Sequence, residues 1–587
     1  MTTGLTIKYR YFTLDFQFMQ SIRLFGYSFS GFQVFLSLWT LAALLQSYFM
    51  DLSGEEAYYV LFARSIDLGY LDHPPMVAFA TFLGELVFQN ELGARLLFVA
   101  MSACSLYLMY ELVERKNLKL FVFLSMGLIA VHAGSFLIKT DVPLLFGELL
   151  FFYFYKLYLE KPSLKYCVGL AIAIAFMFLS KYHGVLIVLF TLLSNPRLFT
   201  QKPFYKVLFL TVLLMLPYAF WQYENDWMSL KFHLSDRSDI SFKWSNVLGY
   251  LFSQPIVLGP LVSIPMFIAV GKRRGLSLYE KALKYVLIGV LVFFFLQSFR
   301  VFIHKHWTSI ALVPLFLLSY PYLGEREKLQ KTTILLGKIT LIALVPVRLY
   351  FAFDILPKQF VDSSGPLHHW ERWSEQLDSL SSGRPIVFVN SYENASRYQY
   401  YAVKKAHTLS TFYFNNTQFD YWDHEENIQG TEVFLINHKR NNPNFSAPFD
   451  ADNRSQIRYV IVPNYRSYAR VDIELSNSSE NNTYVFDLGE TKMVEATITN
   501  KGNYPLIIDG SVDMPVVLSQ YFLKGEQQFG SKVVLDSLFL ASGDSKKVQL
   551  ALSAPETPGN YQMRLGISCG WIPATINSSR KKLKVKE

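Results

Sequence analysis

The sequence predicts a polytopic α-helical membrane protein that ends in two soluble modules, an α/β unit and a β-sandwich. Three observations carry that prediction. Of the 587 residues, 51% are hydrophobic and 17% are charged, and nearly all the long apolar runs fall before residue 353. Lys and Arg concentrate in alternate links between those runs, the bias that orients a chain across a membrane. Residues 384–440 alternate strand, helix and strand patterns, and beyond about residue 456 come short runs of period two separated by turn residues, as soluble strands require.

A spanning helix needs about 20 mainly apolar residues, and about eleven stretches qualify. They lie near 32–50, 93–113, 119–138, 142–159, 165–180, 182–194, 204–222, 247–270, 282–299, 307–323 and 332–352. The fifth and sixth are short and share "SKYHG", which reads as a tight turn. With the N-terminus inside, the inner segments hold Lys8, Arg10 and Arg23, then Arg115, Lys116 and Lys119, then Lys156, Lys161 and Lys165. Arg197, Lys202, Lys206, Lys272, Arg273, Arg274, Lys281, Lys284, Arg326, Lys328 and Lys331 continue the series. The outer links hold fewer cations: Arg64, Lys139, Lys181, Lys231, Arg237, Lys243, Arg300 and Lys305. An odd number of spans then places everything after residue 353 outside the cytoplasm.

The segment "MVAFATFLGELVF", 76–88, is too short to span and carries Glu85. Counting it as a span would invert every later loop, so it reads as an amphipathic helix in the outer interface. Residues 51–92 become one outer loop with two interfacial helices. The formal charge of +9 follows the membrane topology and does not imply nucleic acid. Of the three cysteines, Cys104 and Cys167 fall in apolar runs and Cys569 lies in the soluble part, so no disulfide framework is expected. No cleavable signal is evident, and the first apolar run is long enough to remain as an anchor.

The first outer loop opens with "DLSGEEAYYVLFARSIDLGYLDHPP", residues 51–75. It offers Glu55, Glu56, Tyr58, Tyr59, Arg64, Asp67, Asp72 and His73. In a helix Glu55 and Tyr59 share a face, and the "HPP" step is expected to stop that helix. "IKTDVP" places Lys139 and Asp141 at the same height, and "SKYHG" and "SFRVFIHKHW" bring further cations there. Carboxylates in an outer loop are most often only solvated, and His, Lys and Tyr near helix ends commonly anchor the interface. Chemistry is indicated by the combination: Glu55–Glu56 beside His73, with Asp141 and Lys139.

The stretch "SGEEAYYVLFARSIDLGYLDHPPMVA" resembles the first outer loop of the lipid-linked-sugar glycosyltransferases of the GT-C superfamily. It is most similar to the protein-mannosyltransferase-like and aminoarabinose-transferase-like families, 39 and 83. "KTDVPLLFGELLFFYFY", "LSKYHGVLIVLF", "FWQYENDWMSLKFHL", "GYLFSQPIVLGPL" and "NNTQFDYW" extend the resemblance, in order, over roughly residues 30–425. It implies a GT-C fold and a sugar donor on a polyprenyl phosphate. Family members carry Gly-Asp-Glu-Ala-Tyr-Tyr with a catalytic Asp, where this chain has Glu55 after Gly54. Aminoarabinose-transferase relatives carry Lys-Pro-Pro facing the donor phosphate, where this chain has His73-Pro74-Pro75. Asp141 matches a second acidic position.

The resemblance implies that cations stabilise the departing phosphate, with His73, Lys139, Arg300, Lys305 and His306 as candidates. A carboxylate must orient or deprotonate the acceptor hydroxyl, typically giving inversion at C1 in a single displacement. Glu55 is the expected base, assisted by Asp141 or Glu56, with Tyr58, Tyr59 and Asp72 lining the substrate. This logic requires no cofactor; a divalent metal on Glu55, Glu56, Asp141 and His73 is the alternative. The expected partners are the polyprenyl-phosphate sugar, a lipid, glycan or protein acceptor, and membrane lipids. The expected location is a bacterial cytoplasmic membrane with a periplasmic C-terminal part. Competing readings are a lipid-linked-sugar transporter and a catalytically degenerate scaffold of the same fold.

In the soluble part, "RPIVFVN" and "TEVFLINH" read as strands and "ENASRYQYYAV" as a helix between them. The expected modules are a membrane domain at 1–352, an α/β unit at 353–440, an Asn-rich linker near 441–456 and an Ig-like β-sandwich at 456–587.

Overall fold

The structure, a computed structural model, describes residues 22–24, 27–233, 242–355, 367–437, 449–451, 456–476, 483–511, 514–524 and 527–587. Lys8, Arg10 and Arg237, used above for orientation, and most of the 441–456 linker lie outside the described residues.

Helices begin where capping residues precede the apolar runs. Ser30 with Gln33, Ser53 with Glu56 and Ser277 with Glu280 close capping boxes on helices Gly31–Phe49, Gly54–Arg64 and Leu278–Ser298. In each box the cap side chain accepts a first-turn amide and the Gln or Glu side chain accepts the cap's own amide. Among the described residues, seven helices are long and apolar enough to cross a membrane. They are Gly31–Phe49, Glu91–Leu112, Asp141–Glu160, Lys202–Glu224, Leu278–Ser298, Lys305–Glu325 and Glu327–Ala352.

The other four of the eleven expected spans are shorter or interrupted. Leu164–Ser180 and Gly184–Ser194 have 17 and 11 residues, joined by the expected tight turn at Lys181–His183. The 119–138 stretch divides into Leu118–Met126 and Ile129–Ala133, and the 247–270 stretch into Trp244–Val257 and Ser263–Lys272. Steric fit explains both breaks. Gly259 sits at φ +111°, a conformation that side-chain-bearing residues resist. A Cβ there would fall 3.0 Å from Leu128 Cδ2, and a Cβ on Gly127 would fall 2.5 Å from Val262 Cγ1. The two interrupted stretches therefore pack break against break.

The first outer loop forms two helices as expected, Gly54–Arg64 and Met76–Glu85, tied by Arg64 to Glu85 at 3.0 Å. The "HPP" step does not stop the first of them. That helix ends at Ser65, whose amide bonds back to Leu61 and Phe62, and Pro75 instead caps the start of the second helix.

The α/β unit carries two helices, Trp370–Ser381 and Tyr392–Tyr401, beside a four-stranded sheet. Its strand order is Ala406–Leu409, Ile386–Val389, Val433–Ile436, Tyr459–Val462, with the first three parallel and the last antiparallel. The fourth strand comes from beyond residue 456, where the sequence pattern places the sandwich; period-two alternation does not say which sheet a strand joins. Alternate residues divide the sheet's two faces. Val387, Val389, Val433 and Leu435 pack into the sandwich core. Ile386, Phe388, Phe434 and Ile436 pack with Trp370, Trp373 and the outer-loop residues Leu52, Tyr58 and Phe62. Beyond it, a seven-stranded sheet faces a three-stranded one formed by Ser545–Ser553, Thr491–Asn500 and Val471–Leu475.

Candidate active site

The adjacent carboxylates of the first outer loop point to different places. Glu56 is fully buried. Its Oε1 accepts Arg95 Nε at 2.8 Å and the Ile138 amide at 3.0 Å; its Oε2 accepts Arg95 Nη2 at 2.9 Å and the Ser53 amide at 3.0 Å. Arg95 is itself fully buried and also donates to the carbonyls of Ser47, Met50 and Asp51. Burial alone would raise the Glu56 carboxyl, but the Arg95 charge and these hydrogen bonds hold it below its ordinary value. With both oxygens occupied, Glu56, expected to assist Glu55, is the buckle of the loop.

Glu55, one residue earlier, faces outward with its side chain about half exposed. Its Oε2 accepts Lys139 Nζ at 2.9 Å. Burial pulls the Lys139 ammonium down, but Glu55 and then Asp141 more than offset it and leave it raised. Asp141 begins helix Asp141–Glu160 and is held by Lys181 Nζ, 2.8 Å from each carboxylate oxygen, and by Ser309 Oγ at 3.0 Å. Asp141, expected to assist Glu55, is thus paired with Lys181.

Lys139 and Asp141 open onto a cavity of about 340 Å³. Two helices show the same gradient into it. Asp141, Val142, Leu145 and Leu149 descend one wall; Lys305, His306, Ser309, Leu312 and Val313 descend the other. The polar residues come first on each helix and the apolar ones follow. The interrupted stretches supply further wall, including Ile129, Val131, Ile256 and Val257, and helix Glu91–Leu112 adds Leu106 and Met109. The result is an apolar groove with cations at one end.

Other expected site residues distribute as follows. His73 packs its ring against Tyr59, with centroids 5.6 Å apart. Burial first, then Glu55 and Asp72, push the Tyr59 hydroxyl well above its ordinary value, so Tyr59 stays neutral beside the carboxylates. Asp72 accepts His233 Nε2 on its backbone carbonyl at 3.0 Å. Tyr58 does not line the groove: it is buried, and its hydroxyl accepts the Gln418 amide at 2.7 Å. Arg300 is exposed and is absent from the groove wall.

Sequence reasoning placed Lys181 at the right height without giving it a role, and it missed Ser309 and Arg95. A lysine closing an apolar run was the available signal for Lys181. The four donors considered for a metal are divided, with Glu56 on Arg95 and Asp141 on Lys181. Among the described residues no group of three or more His, Cys, Asp or Glu side chains gathers as a metal cage.

Residues 72–221, about a quarter of the chain, match the family model described as dolichyl-phosphate-mannose-protein mannosyltransferase. Among curated proteins none matches the sequence. Among solved structures the chain is similar to ArnT from Cupriavidus metallidurans in the apo state. That match has TM-score 0.54 at 11% identity and covers 73% of this chain and 97% of that one. The same protein bound to undecaprenyl phosphate matches with TM-score 0.52 at 12% identity over the same shares. At such identity the likeness establishes architecture: this chain shares the fold of that protein, and its seven long apolar helices agree with a multi-pass membrane protein.

Proposed function

We propose that this protein is a membrane glycosyltransferase that moves a sugar from a polyprenyl-phosphate carrier to an acceptor hydroxyl. We place it in a bacterial cytoplasmic membrane, with the site and both soluble modules on the non-cytosolic side. The observation that carries the reading is the groove. An isoprenoid phosphate is a long apolar chain with an anionic head, and the groove offers apolar walls beneath Lys139, Lys305 and His306. The similarity to a protein held with undecaprenyl phosphate supports the same ligand class.

The reaction needs two kinds of help. As the bond between C1 and the phosphate oxygen breaks, its electron pair stays on phosphate, and cations already in place stabilise that charge without reorganising. Lys139 is suited to this because it lines the groove while bonded to Glu55. The acceptor oxygen attacks C1 from the opposite side and passes its proton to Glu55, a half-exposed carboxylate within reach of bulk solvent. Inversion at C1 follows from a single displacement. Glu reaches one methylene further than Asp, and its pairing with Lys139 across the mouth fixes where that extra length goes. The acceptor is a lipid, an envelope glycan or a protein.

The test uses purified protein with a radiolabelled polyprenyl-phosphate sugar and an extract of envelope acceptors. Transfer by the native chain should fall about 100- to 10,000-fold in Glu55→Gln. Undiminished transfer in that variant removes Glu55 from its role. Movement of the labelled lipid across sealed vesicles without any transfer would replace the enzyme with a transporter.

A further inference from the structure

The α/β unit holds the first outer loop at successive points. The Trp370 amide donates to Asp51 Oδ2 at 3.1 Å, the Leu52 amide to the Tyr401 hydroxyl at 2.8 Å, and the Gln418 amide to Tyr58 at 2.7 Å. Between these contacts lies Gly54, the residue before Glu55. A Cβ placed on Gly54 would lie 2.7 Å from both Cγ and Oε2 of Glu393, and closer still to its Cβ. Glu393 belongs to the first turn of helix Tyr392–Tyr401, so two helix starts from separate modules meet there with only the Glu393 side chain between them.

We infer that Glu393 is a positioning residue for the reaction: pressed across Gly54, it fixes the first turn of the helix that presents Glu55. This rests on the reading of Glu55 as the base. Two physical effects act together. The first is steric, since glycine alone leaves room for the Glu393 side chain. The second is electrostatic. First-turn amides of a helix have no intrahelical acceptor, and the N-terminus carries partial positive charge. The Ser53–Glu56 box serves only the amides of Ser53 and Glu56, whereas the Glu393 carboxylate sits over the Gly54 end of the turn. Arg95 fixes the inward side of this turn through Glu56, and Glu393 fixes its outward side. A carboxylate on Glu55's side chain is aimed at Lys139 only while that turn keeps its place.

The consequence is that a soluble module sets the geometry of a membrane site. A displacement of about 1 Å at a reacting group can cost up to 100-fold in rate. The test is a double-mutant cycle on the full-length chain, measuring kcat and donor KM for the transfer described above. Glu393→Ala and Gly54→Ala should each lower kcat about 10- to 100-fold with donor KM unchanged. The double variant should fall far less than the product of the two, because removing Glu393 relieves the collision made by the new methyl. Glu393→Gln, which keeps the shape and an acceptor oxygen, should recover most of the native kcat. Multiplicative losses in the double variant, a raised KM at constant kcat, or Glu393→Gln as slow as Glu393→Ala would each overturn the inference. Native protein that transfers no sugar would instead overturn the functional reading beneath it.

Discussion

Two ion pairs one residue apart show how a single turn of helix can place neighbouring carboxylates in different media. Glu56–Arg95 lies wholly inside the loop, with both partners fully buried and each carboxylate oxygen holding two donors. Glu55–Lys139 lies at the rim, with side chains 47% and 39% exposed. The first cannot exchange partners without leaving a charge in an apolar interior. The second can, because water compensates either member when they part. A residue that must receive and release a proton belongs in the second kind of pair. The difference arises from helix geometry: successive residues are about 100° apart around the axis, so neighbours in sequence face different media.

The largest effect that would break this comparison is expected at Arg95. Arg95→Ala leaves the Glu56 carboxylate buried and unpaired, a change that costs about 3–5 kcal/mol. It should appear as a lowered melting temperature and poor recovery from the membrane. A variant as stable as the native chain would show that the interior pair is dispensable.

A smaller effect, and one with a sign, is expected with pH. The Glu56 carboxyl is held below its ordinary value in the folded chain. Its stabilising contribution is therefore present above the unfolded value of about 4.3 and is lost as pH falls through the lower folded value. Melting temperature followed from neutral to acid pH should decline in that window, and Glu56→Gln should flatten the decline. An unchanged acid limb in Glu56→Gln would assign acid sensitivity to other carboxylates.

The smallest effect is expected at the rim. Glu55→Gln should alter stability by about 0–1 kcal/mol, as exposed pairs do, while abolishing most transfer. A large loss of stability in that variant would erase the contrast between the two pairs.

How much of this was legible in advance follows from the range of the forces involved. Capping at Ser53 is a local event three residues long, and "SGEE" announces it. The gradient down Asp141–Leu149 is also visible in sequence, because a helix repeats its face every three or four residues. Arg95 gave no such signal. It sits in an apolar run as an isolated cation, and nothing within ten residues names Glu56 as its partner. Gly127 and Gly259 likewise look like ordinary small residues of membrane helices until each is seen against the other stretch. The burial of Tyr58 away from the groove was hidden for the same reason: its acceptor role toward Gln418 joins positions 360 residues apart.

The sequence by itself determined that the chain crosses a membrane many times, where its cations lie, which turns start helices, and that carboxylates and cations gather at one level between the apolar runs. These follow from hydropathy and hydrogen bonding within a few residues. Only the tertiary structure decided which carboxylate is occupied and which is available, that Lys139 joins Glu55 to the groove, and that Glu393 reaches Gly54. Those outcomes depend on contacts between distant segments, whose geometry is set by packing of the whole bundle and its soluble modules together.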